Sequence, residues 1–283
     1  MRNVIALIRE LSMLKVLVRL IIPALAAAFS FGSIAEAKSL DEIIKAGVIR
    51  VGVNATLPPN STLKPDGSWV GMDIDTGNLI AEALGVKAEF VASPSPQRVP
   101  LLVSDQVDIM LAGLTRNSRR GKLIDYTLPT YTESQVVLTT SKHDAKTNWK
   151  QFCDSSITLA NVRGTVPAQW VRKNCPEAKE ILFDSGTDVI RAIAQGRADG
   201  TIGIIDNWLI WTLDYKNVTW KVLPDTIYLG YWGIGIQRGN DTLRRWLNLW
   251  LYSFQSKNKH NILWEEWYGS PPAFPVVPTY YFP

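Results

Sequence analysis

The sequence predicts an α/β protein made of two units of the same kind. Short β-rich runs alternate with amphipathic helical stretches, the pattern of a largely parallel sheet with helices layered on it. The alternation occurs once before about residue 112 and again from about residue 157. No Pro/Gly/Ser-rich linker and no low-complexity stretch separates the halves, so a hinged pair is expected rather than two loosely tethered domains.

Ser39-Leu40-Asp41-Glu42 is a capping box, with Ser39 as N-cap and Glu42 three residues on. A helix to Ala46 follows, closed by Gly47, and Val48 to Val53 reads as a strand. Leu57-Pro58-Pro59 breaks that strand and Asp66-Gly67 marks a turn. Ile74 to Leu84 is helical and stops at Gly85, and Val86 to Val91 alternates like a strand. A helix is expected over Val99 to Ser104 and a short apolar strand over Val107 to Ala112.

The second half begins with a strand from Ile157 to Val162 that ends in Arg163-Gly164-Thr165. A helix from Pro167 to Lys173, a strand from Ile181 to Phe183 and a helix from Thr187 to Ala194 follow, then a strand from Ala198 to Ile205. From Asp241, the residues Leu243, Trp246, Leu247, Trp250 and Phe254 recur at helical spacing and predict a core-facing stripe. Arg244, Arg245, Asn248 and Ser253 are expected to face water. The Pro- and aromatic-rich segment Pro271 to Pro283 is expected to lie extended on the surface.

Residues 1–37 have the form of a cleavable export signal. Arg2, Arg9, Lys15 and Arg19 form a basic region, an apolar run follows from Leu20, and Ala35-Glu36-Ala37 is a small-x-small cleavage pattern. The apolar run contains Pro23 and is shorter than the roughly 20 residues that a membrane span needs. The net charge is +4, of which the leader holds +2. No basic run has the density of a nucleic-acid-binding stripe, so a nucleic-acid partner is not expected. The two cysteines, Cys153 and Cys175, both lie in the exported part and read as one disulfide, with two buried free thiols as the alternative. Together with His143 and His260 they have no zinc-ligand spacing, and no metal or other cofactor is expected.

Five segments, in this order and spacing, resemble the polar amino-acid family (family 3) of bacterial extracellular solute-binding proteins of ABC transporters. They are Ala46 to Val53, Gly71-Met72-Asp73-Ile74-Asp75, Val107 to Thr115 with Arg120 downstream, Gly196-Arg197-Ala198-Asp199, and Trp267-Tyr268-Gly269. The resemblance implies a two-lobed periplasmic-binding-protein fold with two hinge crossings, near Val136 to Ser141 and Tyr228 to Gly233. Lobe one would comprise residues 38–138 and 230–283, and lobe two residues 139–229. It further implies a periplasmic, monomeric receptor that closes on a small solute, such as an amino acid, and delivers it to the membrane subunits of a transporter.

An amino acid presents a carboxylate and an ammonium. The first calls for a forked cation and backbone N–H donors, the second for a carboxylate. By resemblance, Arg120 is the carboxylate-binding arginine, Gly113 offers backbone groups, Asn117 stands where the family has Thr or Ser, and Thr165 reaches the solute carboxylate. The position of the family's ammonium-binding Asp is Ile204 here. Asp206, two residues later, is the candidate, because a shift of two along a strand preserves the face. Trp69 or Tyr131 is expected as the aromatic platform, with Trp208 and Trp211 available on the other lobe. One alternative is an exported enzyme of the cyclohexadienyl dehydratase type. Against it, no carboxylate follows Gly164-Thr165, whose successors are Val166-Pro167-Ala168. Another is a module that presents its ligand to a chemoreceptor.

Overall fold

The computed structural model describes residues 38–275. The leader and residues 276–283 of the C-terminal tail lie outside the described residues. The first helix, α1 (Leu40–Ala46), is built as its sequence dictates. Ser39 accepts from the Glu42 N–H, the Glu42 carboxylate accepts from the Ser39 N–H at 2.8 Å, and Gly47 closes the helix in the left-handed conformation.

Strands β1 (Val48–Val53), β5 (Lys87–Ala92) and β6 (Ile109–Met110) pair in parallel. Helix α2 (Met72–Leu84) packs on them and the short α3 (Arg98–Val103) lies between β5 and β6. A small antiparallel sheet, β2 (Thr56–Leu57), β3 (Ser61–Leu63) and β4 (Trp69–Val70), follows β1. In the second half β8 (Thr158–Val162), β9 (Lys179–Phe183) and β10 (Gly200–Ile204) are again parallel. They carry α4 (Val166–Asn174), α5 (Gly186–Ala194) and α6 (Ile205–Trp211).

Two long antiparallel strands join the halves. These are β7 (Ile124–Thr140) and β12 (Tyr228–Gln237). The first part of β7 pairs with β12, and its last part, from Gln135 to Thr139, pairs with β10. Gln135 therefore sits where β7 passes from one half to the other, opposite both Tyr228 and Ile204. A short β11 (Trp220–Val222) also pairs with the end of β7. The resulting order is β5-β1-β6-β12-β7-β10-β8-β9.

Each half has its own core. Ile43, Val51, Ile80, Ile109, Ile236 and Leu247 are buried together in the first, joining α1, β1, α2, β6, β12 and α7 (Asp241–Ser256). Val136, Leu138, Val189, Ile190, Trp208 and Trp211 form the second. The Cys153–Cys175 disulfide is present, with a sequence separation of 22, beside the buried Phe152 and Val171. An aromatic cluster, Tyr131, Trp232, Trp264 and Tyr268, ties β7 and β12 to α8 (Lys259–Tyr268). Among the described residues no helix is long and apolar enough to cross a membrane.

Two local expectations change. Asn248, expected to face water, is half-buried, and its Oδ1 accepts from the Leu128 N–H at 2.8 Å, so α7 is keyed to β7. The strand expected over Ala198 to Ile205 ends at Ile204, because Ile205 opens a helix.

Candidate functional site

The site is assembled from four loops that leave the sheet and one stretch of β7 beneath them. After β6 the chain turns through Ala112 (φ 50°) and Gly113 (φ 59°). A side chain at Gly113 would meet this left-handed backbone and would also come within 3.4 Å of Trp232 and Leu57. The turn is pinned from behind. The Asp73 carboxylate accepts from the Ala112 N–H at 3.1 Å. The Arg98 guanidinium donates to the carbonyls of Ala112 (2.7 Å) and Gly113 (2.8 Å) and to the Ser95 hydroxyl.

Arg120 stands just beyond the same turn. Its N–H donates to the Asn117 side chain at 2.9 Å, which fixes the start of the 3-10 turn Arg120–Lys122. Its guanidinium donates to the Thr115 carbonyl at 2.9 Å and, across the cleft, to the Gly164 carbonyl at 3.4 Å. Opposite lies Thr165, the N-cap of α4, whose hydroxyl donates to the Val162 carbonyl and accepts from the Ala168 N–H. Ser185 caps α5 beside it. Two helix N-termini, with their partial positive charge, thus face the same space as Arg98 and Arg120.

These elements enclose a cavity of about 720 Å³, its open mouth included. Trp208, Trp211 and Trp232 supply its aromatic walls. Trp208 and Trp211 meet edge to face at 5.3 Å, and Trp211 donates to the Pro58 carbonyl across the cleft at 2.5 Å. The rings fit only because Gly203 and Gly186 have no side chain, since a Cβ there would come within 1.9 Å of Trp208 and 2.0 Å of Trp211. Glu133 and Gln135, from the crossing part of β7, line the cavity as well.

Burial shapes the charges. It lowers the Arg98 pKa to about 9, with nearby Arg120 adding to the fall and Glu133 and Asp73 opposing it. Arg120 is lowered for the same reason. The Glu133 carboxyl is raised to about 7 by burial, against the stabilising pull of the Trp232 and Thr115 hydrogen bonds and of Arg120 and Arg98. Asp73 is also raised to about 7 by burial.

The profile of the bacterial extracellular solute-binding proteins, family 3, matches residues 49–270. The chain belongs to this family. Its Escherichia coli (strain K12) relative, ABC transporter arginine-binding protein 1, is 25% identical over 253 residues, covering 88% of this chain and 98% of that protein. The glutamine-binding protein of Geobacillus stearothermophilus is 27% identical over 201 residues, covering 70% of this chain and 75% of that protein. A solved ancestral amino acid-binding protein, described as a precursor of cyclohexadienyl dehydratase, superposes with a TM-score of 0.75 at 28% identity and covers 81% of this chain and 99% of that chain.

Of the residues this solute-binding protein was expected to use, Gly113, Arg120 and Thr165 line one cavity. The other four do not line it. Asn117 is spent on the Arg120 N–H and faces a separate outer groove with Arg119 and Gln169. Trp69 packs on the first core, 6.4 Å from Phe90. Tyr131 is 1% exposed and stacks on Trp264 at 4.5 Å. Asp206 is buried, and its oxygens accept from the Tyr131 hydroxyl and from the Ala273 N–H. Strand alternation was the basis for placing Asp206 in the cleft. It fails because α6 begins at Ile205 and turns the chain at helical pitch. Arg98, Glu133 and Gln135 went unrecognised in the sequence, because nothing in its local spacing distinguishes a cleft floor from any other strand or helix surface.

Proposed function

We propose that this chain is the periplasmic solute receptor of an ABC-type uptake transporter, that its ligand is an amino acid or a related small charged solute, and that it binds without turnover. In this proposal residues 38–138 with 230–283 form one lobe and 139–229 the other, with β7 and β12 as the hinge. The solute carboxylate sits between the Arg120 guanidinium and the Gly113 turn on one side and the Thr165 helix N-terminus on the other. The observation that carries this is the convergence of Arg120 and Gly113 on Thr165 across a single cavity. Arginine suits the task because its planar fork can make two parallel bonds to a carboxylate. The binding activities of the amino-acid-binding relatives support the same solute class.

Thermal unfolding of the purified protein against a panel of amino acids, opines, polyamines and small organic acids tests the proposal. A solute at a hundred times its Kd stabilises the fold by about 2.7 kcal/mol. An amino acid that raises the midpoint, and fails to do so in Arg120→Ala, is the expected result. A panel in which no compound bearing both amine and carboxylate shifts the midpoint would overturn it. The cyclohexadienyl dehydratase of Pseudomonas aeruginosa is 25% identical over 166 residues, 58% of this chain and 62% of that protein, so prephenate and arogenate belong in the panel. Their turnover would replace the receptor with an enzyme.

A further inference from the structure

A receptor for an amino acid needs a carboxylate for the ammonium group, and neither Ile204 nor Asp206 supplies one to the cavity. The carboxylates that line it are Glu133 and Asp184. Asp184 is at the rim, with a side chain 88% exposed and paired with Arg163 at 3.2 Å. Glu133 is on the floor and 1% exposed. Its Oε2 accepts from Trp232 Nε1 at 2.6 Å and from the Thr115 hydroxyl at 3.4 Å. Its Oε1 is buried without a hydrogen-bond partner. Both amide atoms of Gln135, two residues along the same strand and also lining the cavity, are unpartnered too. Buried polar atoms are nearly always paired, so these unpartnered atoms on two cavity-lining side chains are ones that a ligand's polar group would satisfy.

We propose that Glu133 receives the α-ammonium of the solute, with Gln135 beside it, from the hinge strand rather than from the second lobe. The proposal rests on the amino-acid reading of the site. Thr115 sets the geometry: Arg120 holds its carbonyl and Glu133 accepts from its hydroxyl, so cation and anion lie on either side of one residue. In this assignment a zwitterion whose charges are separated by one carbon lies with its carboxylate toward Arg120 and its ammonium toward Glu133. The ammonium brings donors to Oε1, which has no hydrogen-bond partner.

Glu133 also acquires a proton balance. The charged and titratable groups around it are Arg98 from α3, Arg120 from the loop after β6, Tyr131 on its own strand and Tyr228 on β12. Neither arginine loses its proton near neutrality and neither tyrosine ionises there, whereas burial raises Glu133 to about 7, into that range. An incoming ammonium favours the carboxylate, so binding expels the proton.

Titration calorimetry at pH 7 tests the assignment, using the proteinogenic L-amino acids and cystine, and for each binder its N-acetyl derivative. Repeating each titration in phosphate and in Tris reads the protons released. The expected results are release of protons on binding at pH 7 and an amino-acid affinity at least 30-fold weaker in Glu133→Gln. The N-acetyl derivative, which lacks the ammonium, should change by less than threefold between the two proteins, and Glu133→Gln should release no proton. Glu133→Asp, which keeps the charge on a shorter arm, should restore proton release and serves if the Gln variant does not fold. An amino-acid affinity and proton release unchanged in Glu133→Gln would overturn the assignment and leave the receptor standing. Failure of every amino acid to bind the native protein would overturn the amino-acid reading itself, and the assignment with it.

Discussion

Gly203→Ala probes how the aromatic wall of the cleft is built. Gly203 lies one residue before the end of β10, paired with Val136 of β7, and the Trp208 ring covers it. An added methyl would stand 1.9 Å from the ring. Carbon contacts are comfortable at roughly 3.5–4.0 Å, so ring and strand must separate by about 1.5 Å or more. The strand cannot yield cheaply, since it is hydrogen-bonded to β7 and is continuous with the sheet. Trp208 is 5% exposed and wedged against Trp211, so its main escape is into the cavity. Overpacking of this kind costs about 1–3 kcal/mol, and the severity of the overlap places it near 3. For a domain of this size that lowers Tm by roughly 6–12 °C. Differential scanning calorimetry checks it, with Gly121→Ala as the control. Gly121 has no atom within 4 Å of its would-be Cβ, and its variant should melt within about 2 °C of the native protein. Solute affinity should also fall in Gly203→Ala, because the ring occupies the space the solute needs. A Gly203→Ala protein that melts with the control would refute the account of the wall.

Arg120→Lys keeps the charge but loses the fork, and the affinity for an amino acid should fall about 10- to 100-fold by calorimetry, with Tm little changed. Asp206→Asn should act in the opposite way. It weakens the bonds from Tyr131 and Ala273 and lowers stability by about 1–3 kcal/mol in urea unfolding, while affinity changes less than twofold. Reduction of the Cys153–Cys175 disulfide, which spans 22 positions, should cost about 3 kcal/mol by the chain-entropy model, read as a fall in Tm of roughly 6–12 °C. Between pH 5 and pH 8 the empty protein should lose stability through Glu133. Its folded pKa of about 7 lies above the unfolded value, so the fold holds a proton that the unfolded chain has already lost, and that advantage disappears as pH rises to about 7. The slope of denaturation free energy against pH should flatten in Glu133→Gln, by a total on the order of 3 kcal/mol across the range.

The elements whose boundaries are local signals were legible in the chain alone. The Ser39 capping box and the Gly47 and Gly85 stops all act within a few residues and stand where the pattern put them. The same holds for the alternation of strand and helix in each half, because burial on one face imposes its period on the sequence. The family resemblance added Gly113, Arg120 and Thr165, and these three meet at one cavity.

What the sequence could not decide were the points set by contacts between distant parts of the chain. Asp206 looks available in the sequence, yet Tyr131 and Ala273 occupy it from 75 and 67 residues away. Tyr131 looks like a platform, yet the stack from Trp232 through Trp264 to Tyr268 absorbs it into the core. Glu133 shows the reverse: along the strand it is one polar residue in a row from Thr132 to Gln135. Only the crossing of β7 and β12 beneath the cleft makes it a buried carboxylate beside two arginines. Local spacing fixes helices, strands and caps because their forces act over a few residues. The charge and shape of the cleft belong to the tertiary structure, because they are made by groups that meet only when the two halves fold together.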